Sequence, residues 1–382
     1  MSPIPLLISA GEASGDMYAA RLATALRARM EVQLFGMGGP LMQAAGVEIV
    51  MNYEEVAVVG ITEILKHLPS LLKAMEMVVA EAEKRKPVLA ILTDFPGFHL
   101  RLAKKLQPKG IRNVYYICPQ FWAWRPWRVN LIRRRFEKAL CIFPFEKEFF
   151  SKAGISTEFI GHPLVGTVSA TKNRKQFCEE HNLAPGRAMV TVLPGSRAGE
   201  LVHHLPVLQE ACAQIDAKIP AQFVVAAAHP SDVAMLKAGW PAGLKLCVVE
   251  GETYNALASA DAAIVSSGTA TVEAALLDAP LVVVYRVSPL TATLAKPLVR
   301  TPFFAMVNLI AEKLIVPELV QNDFTPEKVA GEVLRLLQDP NARAAMRTGL
   351  AEVRKRLGPP GAVERAAEII AGLLGKCAGN AS

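Results

Sequence analysis

Four short segments of the sequence carry side chains of the kinds used in catalysis and anion binding, and each follows an apolar run. The segment GEASGD occupies residues 11–16, Asp94 ends the stretch VLAILTD, Arg197 lies in LPGSRAGE, and SSGTATVEAA begins at Ser266. A carboxylate can act as a general base, whereas arginine and the N–H groups at a helix start bind phosphate. These segments therefore indicate chemistry on a substrate that carries phosphate.

The first loop, GEASGD, contains two carboxylates, Glu12 and Asp16, and neither lysine nor arginine. Glycine-rich loops between a strand and a helix often hold phosphate, but these carboxylates would repel it. A nucleotide is therefore expected elsewhere in the chain.

Two later loops are better suited to a diphosphate. Ser266, Gly268 and Thr269 place hydroxyl and N–H groups at a helix N-terminus, and Arg197 suits a bidentate contact with pyrophosphate. Glu273, about one turn into the helix, is a candidate acceptor for a ribose diol; the alternative is a glutamate that only favours the helix dipole. A Walker A lysine pattern is lacking, and no G-x-G-x-x-G follows the first strand, which disfavours P-loop hydrolysis and ordinary NAD binding.

The apolar runs before these loops are short and uninterrupted, and helix-like segments separate them. They occupy 5–9, 32–35, 88–93, 113–117 and 140–143 and, after a linker-like stretch at 161–173, 189–193, 223–227, 245–249, 262–266 and 281–285. Such strands predict parallel sheets buried on both faces. We therefore expect an α/β protein with two doubly wound, Rossmann-like domains, residues 1–165 and 166–355, that face a ligand cleft. A helical tail, residues 356–382, is expected to return to the first domain.

The composition of the 382 residues favours a cytoplasmic protein with an anionic partner. The formal net charge is +7, and 52% of the residues are apolar, yet no apolar stretch reaches the length of a membrane span. The N-terminus lacks the features of a signal peptide. The six cysteines form no C-x-x-C pair and are expected to be buried free thiols.

Taken together, the motifs resemble the lipid-A-disaccharide synthases, a family of GT-B glycosyltransferases. The matching segments are GEASGD (11–16), TDFPGFH (93–99), PQFWAWRPWRV (119–129), FPFEKEFF (143–150), FIGHPLV (159–165), LPGSRAGE (193–200), SSGTATVEAAL (266–276) and VNLIAEKLIVPELVQ (307–321). The combination of GEASGD, WAWR and LPGSR is specific. One departure lies at Gly97 and His99, where the family pattern leads us to expect an acidic residue and an asparagine.

The resemblance implies an inverting transfer that needs neither a metal nor a cofactor. The donor would be UDP-2,3-diacylglucosamine and the acceptor 2,3-diacylglucosamine 1-phosphate, known as lipid X. The products would be the β-1,6-linked disaccharide 1-phosphate and UDP. The enzyme would act as a peripheral protein at the inner face of the inner membrane, and we expect no nucleic-acid partner.

The same resemblance assigns roles to the residues in these motifs. Asp94 would be the general base, although a turn or helix-cap aspartate is the alternative. Arg197 and Glu200 would serve the donor site, and Asn308 would contact the nucleotide side, with Glu318 and Gln321 as weaker candidates.

In GEASGD, the resemblance places the loop on the acceptor side of the cleft. Glu12 and Asp16 would accept hydrogen bonds from sugar hydroxyls, and Gly11 and Gly15, with Ser14 beside them, would let the backbone approach closely. Alternatively, Asp16 only stabilises the start of the following helix.

A membrane-facing surface is expected because both implied substrates carry acyl chains. Tryptophan beside arginine is typical of the interface between lipid and water. The candidates are Trp122, Trp124, Arg125, Trp127, Arg128 and Arg133. A second candidate is the amphipathic stretch 60–78, which Pro69 should kink or split and which could equally be a core helix.

Two classes of alternative function remain open from the sequence. Another UDP-sugar enzyme, such as a UDP-GlcNAc 2-epimerase or the undecaprenyl-linked GlcNAc transferase, would use similar turns. A basic membrane-surface or RNA-binding module would fit the tryptophan and arginine segment, but it would leave the two diphosphate loops unexplained.

Overall fold

A computed structural model of the chain describes residues 3–55, 61–124, 126–288 and 301–378. The chain forms two compact units. Unit 1 comprises Met1–Pro163 together with Leu357–Ser382, and unit 2 comprises Leu164–Arg356.

Unit 1 is built on a seven-stranded parallel sheet with the order β3-β2-β1-β4-β5-β6-β7. The strands are β1 (Ile4–Ala10), β2 (Val32–Gly38), β3 (Glu48–Asn52), β4 (Leu89–Thr93), β5 (Arg112–Tyr116), β6 (Lys138–Cys141) and β7 (Thr157–Phe159). The helices are α1 (Ala13–Arg27), α2 (Pro40–Ala44), α3 (Ile61–Arg85), α4 (Pro96–Leu106), α5 (Phe121–Trp124), α6 (Val129–Arg135) and α7 (Pro144–Lys152). Every residue of β4 is buried, as expected for a central strand covered on both faces.

Helix α3 runs through Pro69 as one helix of 25 residues, so of the two expected outcomes, a kink or a split, the split does not occur. Its C-terminal half packs into the core of unit 1 through Met75, Val78 and Ala82, all at most 3% exposed. The core-helix interpretation therefore holds for this half of the helix.

Unit 2 is built on a six-stranded parallel sheet with the order β10-β9-β8-β11-β12-β13. The strands are β8 (Ala188–Leu193), β9 (Ala221–Ala227), β10 (Lys245–Glu250), β11 (Ala262–Ser266), β12 (Leu281–Tyr285) and β13 (Glu318–Val320). The described helices are α8 (Arg174–Glu180), α9 (Ala198–Asp216), α10 (Val233–Lys237), α11 (Thr253–Ala258), α12 (Thr269–Leu276), α13 (Met306–Ala311), α14 (Pro326–Gln338) and α15 (Pro340–Arg356). A final helix, α16 (Ala362–Ala378), belongs to unit 1 and packs on α1.

Each sheet reverses its strand order once, and the predicted loops lie at these two positions. In unit 1 the reversal lies between β1 and β4, where Ala10 pairs with Thr93. In unit 2 it lies between β8 and β11, where Leu193 pairs with Val265. Ligands of open α/β sheets bind beyond the carboxyl ends of the strands at such a reversal. The prediction of two Rossmann-like domains is confirmed. The loops that follow these four strands are the candidate ligand-binding and catalytic segments.

Within the described part of the chain, no helix combines the length and apolar character needed to cross a bilayer. Cys118, Cys141, Cys178 and Cys212 are buried free thiols, and Cys247 is a partly buried one. The side chain of Cys377 lies outside the described residues.

Candidate active site

Asp94 lies at the carboxyl end of β4, in a backbone conformation that residues other than glycine rarely adopt. Its φ angle is +49°, and Phe95 follows with a φ of +44°, so two consecutive residues are left-handed. Pro96 then begins α4. Left-handed residues other than glycine are uncommon, and they persist only where the surroundings hold them.

The surroundings hold Asp94 through its backbone carbonyl. That oxygen accepts hydrogen bonds from Tyr115 Oη and His99 Nδ1, each at 2.8 Å. Since a carbonyl can only accept, Nδ1 carries the imidazole proton, and Nε2 accepts from Ser9 Oγ at 2.8 Å. His99 is fully buried, and burial lowers the pKa of His99 to about 4. His99 is therefore a neutral support for the Asp94 backbone.

The carboxyl group of Asp94 has an altered acidity because of its position. Burial, together with the negative charge and hydrogen bonding of Glu12, raises the pKa of Asp94 to about 8. Glu12 occupies the N-cap position of α1, and Ser14 Oγ donates to its Oε1 at 3.1 Å. A carboxyl group whose pKa is raised by burial and by a neighbouring carboxyl group is a frequent feature of acid–base sites. The switch point of unit 1 thus holds a group able to accept a proton.

Gly11 gives space to a neighbouring side chain. A Cβ atom at Gly11 would lie 2.1 Å from the ring of Phe95, whereas one at Gly15 would meet Ala10 only at an ordinary 3.4 Å. The close approach expected at Gly11 is therefore made by the Phe95 ring, and it supports the strained Asp94–Phe95 turn.

Asp16 is not available to a substrate, contrary to the prediction that it contacts a sugar. It is 1% exposed, and its carboxylate accepts hydrogen bonds from the N–H groups of Gly39, Leu41 and Met42 at 2.8 to 3.2 Å. Asp16 lies in the first turn of α1, and the N–H groups that it binds lie at the start of α2, so its carboxylate stabilises the N-terminus of α2.

In unit 2, Arg197 lies at the N-cap position of α9, with its side chain 60% exposed. Glu200, whose side chain is 7% exposed, pairs with Arg197 Nη1 at 3.0 Å and accepts from the Ser196 N–H at 3.1 Å. Both carboxylate oxygens of Glu200 are occupied by groups of its own loop. The prediction that Glu200 contacts the donor substrate is therefore replaced: Glu200 orients Arg197.

The loop after β11 has the features of an anion site. Gly268 has a φ of +148°, a Cβ atom there would meet nothing within 4 Å, and α12 begins at the exposed Thr269. Ser266 is 5% exposed, and its hydroxyl has no hydrogen-bond partner among the described residues. A buried hydroxyl without a partner beside an open helix N-terminus is suited to an anionic ligand.

Glu273 is half-buried on α12 and accepts a hydrogen bond from Tyr254 Oη at 3.1 Å. Burial raises the pKa of Glu273. A carboxyl group in this state can still bind a hydroxyl, and its role towards a ribose stays a prediction.

Asn308 supports the backbone and does not reach a nucleotide as predicted. It is fully buried; its amide nitrogen donates to Val316 O and Glu318 Oε1, and its oxygen accepts from the N–H groups of Ile315 and Val316. All of its hydrogen-bonding groups are thus occupied within the protein.

Glu318 is engaged in the same network. Its carboxylate also accepts from the N–H groups of Phe304 and Ala305, both at 2.9 Å. With oxygen and nitrogen placed to suit their neighbours, the side-chain amide of Gln321 pairs with the backbone of Val287 at 3.2 Å. Both residues therefore hold loops of unit 2.

The predicted membrane face is only partly exposed. Trp122 Nε1 donates to Glu146 Oε1 at 3.2 Å, and the Trp122 ring packs edge-on against Phe145 at 4.9 Å. Glu146 is fully buried, and burial raises the pKa of Glu146 to about 8. Trp122 is thus anchored to the protein interior, and we remove it from the predicted face.

The remaining candidates of that face differ in exposure. Trp127 is 61% exposed and Arg133 is exposed, while the guanidinium of the half-buried Arg128 lies 5.6 Å from the Trp127 ring centre. The side chain of Trp124 and all of Arg125 lie outside the described residues.

One group of possible metal ligands, Glu180, His181 and Glu252, is present among the described residues. Lys172 Nζ pairs with both of these glutamates, at 2.8 Å to Glu252. A side-chain cation therefore already offsets part of the charge of these two carboxylates.

Comparison with known proteins decides among the open alternatives. The family model for lipid-A-disaccharide synthetase matches residues 6–370. The lipid-A-disaccharide synthase of Solibacter usitatus is 43% identical over 371 residues, which cover 97% of each chain. That of Myxococcus xanthus is 42% identical over 376 residues and 98% of each chain. The chain belongs to the lipid-A-disaccharide synthase family. It is a glycosyltransferase of lipid A biosynthesis, as the motifs predicted.

Solved structures support the fold. The UDP-GlcNAc 2-epimerase of Neisseria meningitidis has a TM-score of 0.66 at 11% identity and covers 98% of this chain and 100% of its own. MurG of Acinetobacter baumannii has a TM-score of 0.59 at 16% identity, covering 97% and 99%. These likenesses confirm the GT-B class of the two units.

The structure also identifies functional candidates for which the sequence contains no clear motif. Tyr115 supports the Asp94 carbonyl, Glu146 holds Trp122, and His204 connects two loops of unit 2. For His204, the sequence offers only the pair of adjacent histidines at 203 and 204 as an indication. Its contacts join residues that are distant in sequence, so they could not be predicted.

Proposed function

We propose that this family member joins UDP-2,3-diacylglucosamine to lipid X, giving the β-1,6-linked disaccharide 1-phosphate and UDP. The 6-hydroxyl oxygen of the acceptor forms a bond to the anomeric carbon of the donor, and the bond from that carbon to the UDP phosphate oxygen breaks. The hydroxyl proton goes to a base, and UDP leaves with the bonding electron pair. The observation that carries the proposal is that one chain holds both a proton acceptor at the switch point of unit 1 and an anion site at the switch point of unit 2.

Asp94 is the proposed base. Its carboxyl group is held by a fixed backbone, and its raised pKa makes the ionised form a stronger base than an ordinary aspartate. General base catalysis of this kind contributes about 10²- to 10⁴-fold to a rate. Glu12 tunes the acidity of Asp94 and is the residue of GEASGD that we propose to contact the acceptor.

The donor diphosphate is proposed to bind to the loops of unit 2. Arg197 supplies an exposed cation, Ser266 supplies a hydroxyl without a protein partner, and Gly268 and Thr269 supply the N-terminus of α12. These groups stabilise the charge that develops on UDP as it leaves. Glu273 is proposed to contact the ribose.

We propose that the enzyme works at the inner face of the inner membrane, since both substrates carry acyl chains. Trp127 and Arg133 are exposed in unit 1 and combine an aromatic ring with positive charge. These are the side chains expected to lie among anionic lipid headgroups.

A direct assay tests the reaction. The purified protein is mixed with UDP-2,3-diacylglucosamine and lipid X, with and without EDTA, and the products are identified by mass spectrometry. The expected products are the disaccharide 1-phosphate and UDP in both samples, with the Asp94→Asn variant as the inactive control. Formation of an epimerised UDP-sugar without disaccharide would overturn the proposal.

A further inference from the structure

His204 connects two loops at the carboxyl edge of the sheet of unit 2. It lies on α9 and is fully buried. Its Nδ1 is 2.6 Å from the carbonyl oxygen of Pro194, and its Nε2 accepts a hydrogen bond from the N–H of Arg286 at 2.9 Å. Pro194 directly follows β8, and Arg286 directly follows β12.

Three contacts bear on the state of the ring. The carbonyl of Pro194 can only accept, so Nδ1 carries the proton. Nε2 lies 2.9 Å from the N–H of Arg286 and 3.2 Å from the Arg286 carbonyl oxygen, and the shorter contact assigns its lone pair to the N–H. Burial lowers the pKa of His204, in agreement with a neutral imidazole. The rings of Tyr285 and Phe324 pack edge-on against it, at 5.9 and 5.3 Å between centres.

Arg286, in turn, is fixed to a third segment. Its guanidinium donates to the carbonyl oxygens of Gln321 and Phe324 and lies over the Phe324 ring at 5.1 Å. The imidazole is thus held against a rigid neighbour and can fix the position of the Pro194 carbonyl.

The strand order gives this bridge its significance. In the sheet, β11 lies between β8 and β12, so the turn that begins at Ser266 leaves the sheet between the two strands whose ends His204 connects. The loop that starts at Pro194 continues through Ser196 to Arg197. The position of Arg197 relative to the Ser266 turn is therefore set across the end of β11.

We propose that His204 is a positioning residue for the donor site. It holds the Arg197 loop at the distance from the Ser266–Thr269 turn that a diphosphate requires. The inference rests on the proposed function of these loops. It predicts that loss of the bridge weakens nucleotide binding while contacts made by unit 1 are kept.

The test compares His204→Leu and His204→Gln with the wild type, and uses His203→Ala as a matched control on the adjacent residue. Leucine keeps apolar volume but makes no hydrogen bond, whereas glutamine keeps one donor and one acceptor. We expect His204→Leu to raise the Kd for UDP and the KM for the donor by about five- to tenfold, a change of the size that one neutral hydrogen bond contributes. The KM for lipid X should stay unchanged, His204→Gln should recover part of the affinity, and His203→Ala should match the wild type.

A double-mutant cycle with Arg197→Ala separates positioning from general destabilisation. If His204 acts through Arg197, His204→Leu should change the Kd for UDP less than twofold once Arg197 is absent. Thermal melts ensure that every variant is folded at the assay temperature. A full additive loss, or a lower Tm with unchanged UDP affinity in the folded variant, would overturn the assignment.

The same measurements distinguish this inference from the proposed function. If the wild type binds UDP but forms no disaccharide, the proposed reaction fails, and the affinities still decide the role of His204. If the wild type does not bind UDP, both are overturned.

Discussion

The Nδ1 atom of His99 lies 2.8 Å from the backbone oxygen of Asp94, and Tyr115 Oη lies at the same distance from that oxygen. Two donors from different elements thus hold the carbonyl and leave the carboxyl group outside this network. Position and acidity are controlled separately: the backbone contacts fix where Asp94 lies, and burial with Glu12 sets its pKa. His99 therefore has a structural use in this chain.

Replacement of Asp94 by asparagine should remove most of the turnover. Asparagine has a similar shape but cannot take up the acceptor proton, so kcat should fall by about 10²- to 10⁴-fold. Calorimetric titration should show an unchanged Kd for UDP, because the donor loops belong to unit 2. A variant that keeps more than about a tenth of the wild-type kcat would exclude Asp94 as the base.

The pH dependence of kcat/KM should report the influence of Glu12 on Asp94. The base must be ionised, so activity should rise with pH through about 8 in the wild type. In Glu12→Gln the neighbouring negative charge is gone and the amide can donate to the ionised carboxylate, so the pKa of Asp94 falls. The acid limb should then move to lower pH by about one unit.

A matched control for that profile is Arg197→Lys, which changes the donor site and should leave the acid limb in place. If the acid limb of the pH profile stays near its wild-type position in Glu12→Gln, the carboxyl group of Glu12 does not influence the pKa of Asp94.

Arg197→Ala should weaken UDP binding by about 10- to 100-fold, since a charge-assisted hydrogen bond contributes about 1.5 to 3 kcal/mol. Addition of EDTA to the wild type should leave the rate unchanged, because Arg197 and the α12 N-terminus are proposed to stabilise the diphosphate. Titration calorimetry and the disaccharide assay measure the two effects. Activity that disappears with EDTA and returns with magnesium would contradict this account.

Vesicle binding should depend on Trp127 and Arg133 in different ways. Trp127→Ala should weaken sedimentation with anionic vesicles at every salt concentration, because ring burial is not screened. Arg133→Ser should weaken it mainly at low salt, where one basic residue contributes about 1 kcal/mol.

Trp122→Phe is the control for the vesicle experiment. It removes the bond to Glu146, so it should lower the Tm and leave vesicle binding per folded molecule unchanged. Equal loss of vesicle binding in the Trp122 and Trp127 variants would show that both rings meet lipid.

The sequence was sufficient to predict the central strands and the loops after them, because continuous apolar runs and small-residue turns are local signals. Strands β3, β7 and β13 lie at sheet edges, are short and contain polar residues. They therefore lack the continuous apolar run by which a central strand is predicted. The parallel order that brings Asp94 to the switch point follows from the alternation of strands and helices.

The roles of several polar side chains could not be predicted, since their partners are distant in sequence. Asp16 meets N–H groups 23 to 26 residues away, and Trp122 meets a carboxylate 24 residues away. The partners of Asn308 are nearer, 7 to 10 residues away, but only the folded segment brings them to its buried amide. In each case a motif residue with the chemistry for a ligand is used to hold backbone or a buried group.

Because α16 lies after unit 2 in the chain yet packs on α1, the ribosome completes the first unit last. Synthesis at about 5 to 20 residues per second means that Leu164–Arg356 takes roughly 10 to 40 s to produce. Throughout that interval the nascent sheet of unit 1 has its central strands but lacks the helix that covers part of α1. Unit 2 is continuous in sequence and can fold as it emerges from the ribosome. During that time unit 1 exposes the apolar surface of α1 that α16 later covers, and chaperones can bind there.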